Sequence, residues 1–120
     1  MEQLNVVLFQ NDARTAQVLA ARLSNLTSVH QASNRDEIRP AIARHRAEVL
    51  VMDLEASCLG EVRRLHNEFP SLSIVCTHRL ADEELWTEAL NQGAADICVP
   101  WNTDDVVQSV MRESAHRSAA

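Results

Sequence analysis

The sequence predicts an α/β domain built on a doubly wound parallel sheet, and three features carry that prediction. The stretch Ala47-Glu48-Val49-Leu50-Val51-Met52-Asp53 has four consecutive apolar residues running straight into a carboxylate. A strand that is apolar on both faces is buried on both sides, which happens where helices cover a parallel sheet. Short apolar runs of this kind alternate along the chain with stretches of helical periodicity, giving five strands and five helices at short intervals, the pattern of linked βαβ units. Polar residues close these runs at Gln10, Asn11, Asp12, Asp53 and Thr77. In an open α/β sheet the carboxyl ends of the strands meet at one rim, where ligands and chemistry gather.

Taken in order, Asn5-Val6-Val7-Leu8-Phe9 is a buried strand closed by Gln10-Asn11-Asp12. A helix follows from about Ala13, with Ala16, Leu19, Leu23 and Leu26 at helical spacing and Asn11 or Asp12 as its cap. Ser28 to Ala32 is short and polar, as an edge strand is. Residues Asp36 to His45 carry Ile38, Ala41 and Ile42 on one face. Pro40 must therefore lie in the first turn, where a missing N–H breaks no helical bond. After the Val49 to Met52 strand, Val62, Leu65 and Phe69 form the inner stripe of a helix that Pro70 ends. Leu72 to Thr77 is the fourth strand.

Asp82 caps a helix with Leu85, Trp86, Ala89 and Leu90 inward, and Gly93 stands where a left-handed C-terminal cap favours a residue without Cβ. Ile97-Cys98-Val99 is the fifth strand and stops at Pro100. Thr103 caps the last helix, on which Val106, Val107, Val110 and Met111 face the sheet. Residues 1–113 make the domain, and 114–120, small and polar with no apolar stripe, read as a tail or the start of a linker.

Composition removes several function classes. The 120 residues contain no apolar run near the ~20 needed to cross a membrane, and Met1-Glu2-Gln3 lacks the basic start of a secretory signal. A cytoplasmic protein without membrane contact is expected. Cys58, Cys76 and Cys98 are odd in number and widely spaced, which fits neither a disulfide framework nor a zinc knuckle. Cys76 and Cys98 instead read as small core residues. The five histidines have no metal-ligand spacing; only His78 adjoins a candidate site residue, Thr77. Arg39, Arg44 and Arg46 read as a solvated face.

All eleven basic residues are arginine. Without lysine there is no phosphate-binding P-loop, and with only Gly60 and Gly93 there is no G-x-G-x-x-G dinucleotide loop. The formal net charge of −6 repels phosphate backbones, so no direct nucleic-acid partner is expected.

Over nearly its whole length the chain resembles the receiver domain of bacterial two-component response regulators. The resemblance is carried by the buried strand ending in Asp53, by Thr77 ending the next strand, by Gly93-Ala94 before the fifth, and by Pro100-Trp101 followed by Asp105-Val106. It implies a flavodoxin-like sheet of order 2-1-3-4-5 and a non-enzymatic switch in phosphorelay signal transduction. Asp53 would accept a phosphoryl group from a histidine kinase or phosphotransfer protein, and Thr77 would be the switch hydroxyl. Asp12, Asn11, Asp53 and Glu55 would hold Mg2+. The surface of the fourth helix, fifth strand and fifth helix, flanked by Trp86 and Trp101, would serve a partner or a homodimer.

The departures from the family are equally specific. Gln10 and Asn11 stand where the family has its acidic pair, with Asp12 displaced by one residue. Mg2+ prefers hard, charged oxygens in octahedral array, so the metal site is expected to be weak or lost. Val99 stands where the family's lysine precedes the proline, Ile97 stands near the aromatic switch position, and Glu55-Ala56-Ser57-Cys58 lacks the usual Met-Pro. Phosphoryl transfer to a carboxylate is mostly positioning and charge neutralisation, so Asp53 would react slowly. Arg79, two residues past Thr77, is a candidate for the missing positive charge. Two classes of function follow: a phosphorylatable switch, and a phosphorylation-independent pseudo-receiver acting as a protein-interaction module.

Overall fold

The computed structural model describes residues 3–119, with side chains through residue 115. Among the described residues, five strands and five α-helices alternate: β1 (Asn5–Phe9), α1 (Ala13–Ser24), β2 (Ser28–Ala32), α2 (Ile38–His45), β3 (Val49–Asp53), α3 (Leu59–Glu68), β4 (Ser73–Thr77), α4 (Glu83–Asn91), β5 (Asp96–Cys98) and α5 (Thr103–Ala119). All neighbouring strands are parallel, in the order β2-β1-β3-β4-β5. Sheet type, order and the edge position of β2 agree with the reading of the sequence.

Alternation of side chains along each strand divides the core in two. Val7, Phe9, Leu50, Met52, Ile74 and Cys76 face α2, α3 and α4, packing on Ile38, Ile42, Val62, Leu65 and Ala89. Val6, Leu8, Val49, Val51, Val75 and Cys98 face α1 and α5, packing on Leu19, Leu23, Val106 and Val110. Every residue of β3 is buried. Each such Val or Leu contributes about 1.5–3 kcal/mol relative to exposure, so the centre of the sheet holds both helical layers.

Helix ends follow local hydrogen bonding. Asp12 and Asp82 cap α1 and α4, accepting from the backbone N–H groups of Thr15 and Leu85, and Pro40 falls in the first turn of α2. Four expectations are corrected. Leu26 lies beyond α1 and is exposed; Thr27 takes the buried place and donates to the Leu23 carbonyl. Trp86 is 44% exposed, because the inner stripe of α4 runs through Leu85 and Ala89 and the residue after Leu85 is turned about 100° away. The α5 cap is Asn102, whose Oδ1 accepts from Asp105 N–H at 3.3 Å, one residue before Thr103. Arg39 is not a free solvated charge, because it is paired with Glu61 and Glu68 on α3.

That last network contains a buried acid. Glu61 is 6% exposed and accepts from Arg39 and, at 3.0 Å, from Arg64. Burial pushes its carboxyl up, but the two guanidinium partners outweigh burial and hold it below the usual range. A depressed folded-state carboxyl contributes stability above its unfolded value, about pH 4.3, and loses it as pH falls through the folded value. Glu61→Gln should therefore flatten the acid limb of a plot of urea midpoint against pH.

Gly93, after α4, has φ +110°, and a Cβ there would stand 2.6 to 2.9 Å from the His66 side chain on α3. Gly93→Ala is expected to cost about 1–3 kcal/mol. Gly60→Ala, whose added Cβ would meet nothing closer than 3.6 Å, should leave stability intact or raised. Urea denaturation of both variants checks the contrast.

Candidate functional site

The carboxyl rim brings together residues far apart in the chain. Asp53 is paired in register with Thr77, and Thr77 with Cys98, so the first two backbones lie one strand spacing apart, about 4.8 Å. By alternation Asp53 continues the side of β3 that carries Val49 and Val51, Thr77 that of Val75, and Gln10 that of Val6 and Leu8. The Gln10 amide reaches over the end of β3 and its Nε2 donates to Thr77 Oγ1 at 2.8 Å, both groups being buried. The three residues thus meet as the strand ends require.

Asp53 is 8% exposed. Its Oδ2 accepts from the backbone N–H of Asn11 and its Oδ1 from that of Glu55, each at 3.0 Å. Two backbone donors, one per oxygen, fix the carboxylate in place. Above it an open cleft of about 480 Å³ is walled by Asn11, Asp12, Glu55, Arg79 and Trp101.

The other acids are engaged elsewhere. Asp12 Oδ2 accepts from Thr15 N–H at 3.0 Å and from Thr15 Oγ1 at 2.6 Å. These hydrogen bonds, the hydroxyl first, hold its carboxyl below the ordinary range. Glu55 Oε1 accepts from Arg79 Nε at 2.7 Å, and Oε2 from Arg79 N–H at 3.4 Å. This pairing lowers Glu55 and raises Arg79. Asn11 meets Asp53 through its backbone only. Among the described residues no three His, Cys, Asp or Glu side chains gather as a metal site. An octahedral hard cation wants several charged oxygens free to converge, and a helix cap, an ion-paired glutamate and two neutral amides do not supply them. The residues present do not fit Mg2+.

Sequence reasoning named Asp53, Thr77, Asn11, Asp12, Glu55 and Arg79, and all but Thr77 line the cleft, with Thr77 beneath it bonded to Gln10. It did not foresee the Gln10 to Thr77 bond or the partner of Arg79. It also missed Asp96 on β5, which accepts from Ser109 Oγ on α5 and lies 3.6 Å from Arg112. A serine three residues after Val106 on the inner stripe of α5 was the available signal. His78 turns to its own loop, where Nδ1 accepts from Leu80 N–H at 2.9 Å.

No protein-family model and no curated protein sequence matches the chain. Solved structures do match. The signal receiver domain of an HD domain-containing protein from Pseudomonas fluorescens superposes with TM-score 0.86 at 16% identity, covering 99% of this chain and 100% of that one. The fold is that of a response-regulator receiver domain. A response regulator from Thermotoga maritima gives TM-score 0.81 at 20% identity over 92% of this chain and 97% of its own. A two-component response regulator from Clostridium difficile gives 0.82 at 18% over 94% and 97%.

On this receiver fold the described cleft has Arg79 as its cationic wall, and its side chain is 71% exposed. Cys76 and Cys98 are buried, and burial pushes the Cys76 thiol up to about 12, the behaviour of inert core residues.

The buried amide and hydroxyl should prove coupled. Thr77→Val strands the Gln10 amide and Gln10→Leu strands the Thr77 hydroxyl, each costing about 1–3 kcal/mol. The double variant should cost less than the sum of the two, by roughly 1 kcal/mol, in a urea-denaturation cycle.

Proposed function

We propose that the chain is a receiver module of a two-component phosphorelay, with Asp53 as phosphoacceptor. The observation that supports this most is the carboxylate at the end of the central strand, held by two backbone N–H groups beneath an open cleft, with Thr77 beside it in register. A carboxylate so held is oriented before the donor arrives. An Asp53 oxygen attacks the phosphorus of a phosphohistidine on a histidine kinase or phosphotransfer protein. The new O–P bond forms as the P–N bond breaks, and the electron pair leaves with the imidazole. No other reaction is assigned to the chain.

The output surface is the face of α4, β5 and α5, bordered by the exposed Trp86 and Trp101. Exposed indoles are efficient anchors for a protein partner or a second copy. A change at Asp53 reaches this face through Thr77, since β4 pairs with β5 at Thr77 and Cys98.

A second reading, the phosphorylation-independent module, is favoured by the internal satisfaction of the pocket: Gln10 already engages Thr77, and Arg79 already engages Glu55. Intact-mass measurement after incubation with acetyl phosphate and Mg2+ separates the two. The phosphoacceptor reading expects slow addition of a single phosphoryl group, abolished in Asp53→Asn. Unchanged mass after prolonged incubation would leave the interaction module.

A further inference from the structure

We propose that the Asp53 cleft takes up the phosphoryl group without a divalent cation, its charge being met by Arg79 as that side chain leaves Glu55. This rests on the phosphoacceptor reading of Asp53.

The groups converging around Asp53 are mainly hydrogen-bond donors. The backbone N–H groups of Asn11 and Glu55 point at the carboxylate. The Thr77 hydroxyl accepts from Gln10, so its own hydrogen remains to be donated. The Gln10 amide likewise carries a second N–H. Arg79 contacts Glu55 through Nε and its backbone N–H, and its Nη1 and Nη2 donate to no described protein group. A guanidinium with two donors in a fixed fork matches a phosphoryl group. The field of Asp53 already reaches Arg79, adding to the stronger influence of Glu55.

Charge decides how the cleft would respond. Asp12, Asp53 and Glu55 face one cation, Arg79, which leaves an excess of negative charge before any phosphoryl group arrives. Phosphorylation adds roughly one further negative charge. The demand falls on Arg79, and Glu55 is its competitor. Exposure of the guanidinium makes the exchange cheap, because a solvent-accessible ion pair is weakly held.

In the step itself an Asp53 oxygen forms a bond to the phosphorus of acetyl phosphate, and the bond from phosphorus to the acetyl oxygen breaks. Acetate leaves with that electron pair. No further reactant is needed.

The role of Glu55 separates this proposal from metal assistance. If Glu55 helped to hold a cation, neutralising it would slow uptake. If it restrains Arg79, Glu55→Gln speeds uptake. The full chain is incubated with acetyl phosphate in EDTA or in Mg2+, and phosphoryl incorporation is followed by intact mass. The expected results are equal rates in the two conditions, several-fold faster uptake in Glu55→Gln, and at least about tenfold slower uptake in Arg79→Ala. Uptake that requires Mg2+, slower uptake in Glu55→Gln, or unchanged uptake in Arg79→Ala each overturns the proposal while leaving Asp53 as phosphoacceptor. Absence of uptake in every condition overturns both. As a readout independent of turnover, titration with MgCl2 should leave the amide resonances of Asn11 and Glu55 unmoved, and saturable shifts would overturn the proposal.

Discussion

Burial of β3 on both faces is the constraint from which the rest follows. Val49, Leu50, Val51 and Met52 are closed to solvent, so each turn of the pleat must find a helix above and a helix below. That requirement sets α1 and α5 against one side and α2, α3 and α4 against the other. It also means that the first residue able to meet water is the one ending the strand. Asp53 occupies that boundary, and the backbone N–H groups of the β1 and β3 loops close on its oxygens.

The rim combines a receiver fold with a mixture of amides and engaged acids. Neutral amides stand at Gln10 and Asn11, and the carboxylates beside Asp53 are held by a helix terminus and by an arginine. Gln10 turns this into a structural gain, since its amide satisfies a hydroxyl sealed in the sheet. An acid at that position would accept the hydroxyl hydrogen but bring a second negative charge beside Asp53.

The fold was legible because its signals are local. Apolar runs, Asp12 and Asp82 before helices, and Gly93 after α4 each act over a few residues and appear where the sequence places them, except that the fifth strand spans Asp96–Cys98, one residue earlier than Ile97 to Val99. The site was legible in membership but not in pairing. Asp53 and Thr77 could be named from strand ends, whereas Arg79 with Glu55 and Gln10 with Thr77 are separated by 24 and 67 residues. Such bonds depend on strand register and loop path, which no short window contains. The misplaced details are of two kinds. The Asn102 cap and the ion pairs of Arg39 are partnerships that composition does not show. Trp86 and Leu26 are apolar residues assigned inward by periodicity, and periodicity cannot tell where the contact stripe narrows or the helix stops.

The two margins of the sheet carry their own consequence. β5 has only three residues and has Pro100, which has no N–H to offer, two positions beyond its end, while the opposite margin, β2, is five residues long and carries the polar His30 and Gln31. Neither border gives a neighbouring molecule a long, flat template for adding a strand. Copies of this protein are thereby steered away from stacking edge to edge into fibrous aggregates.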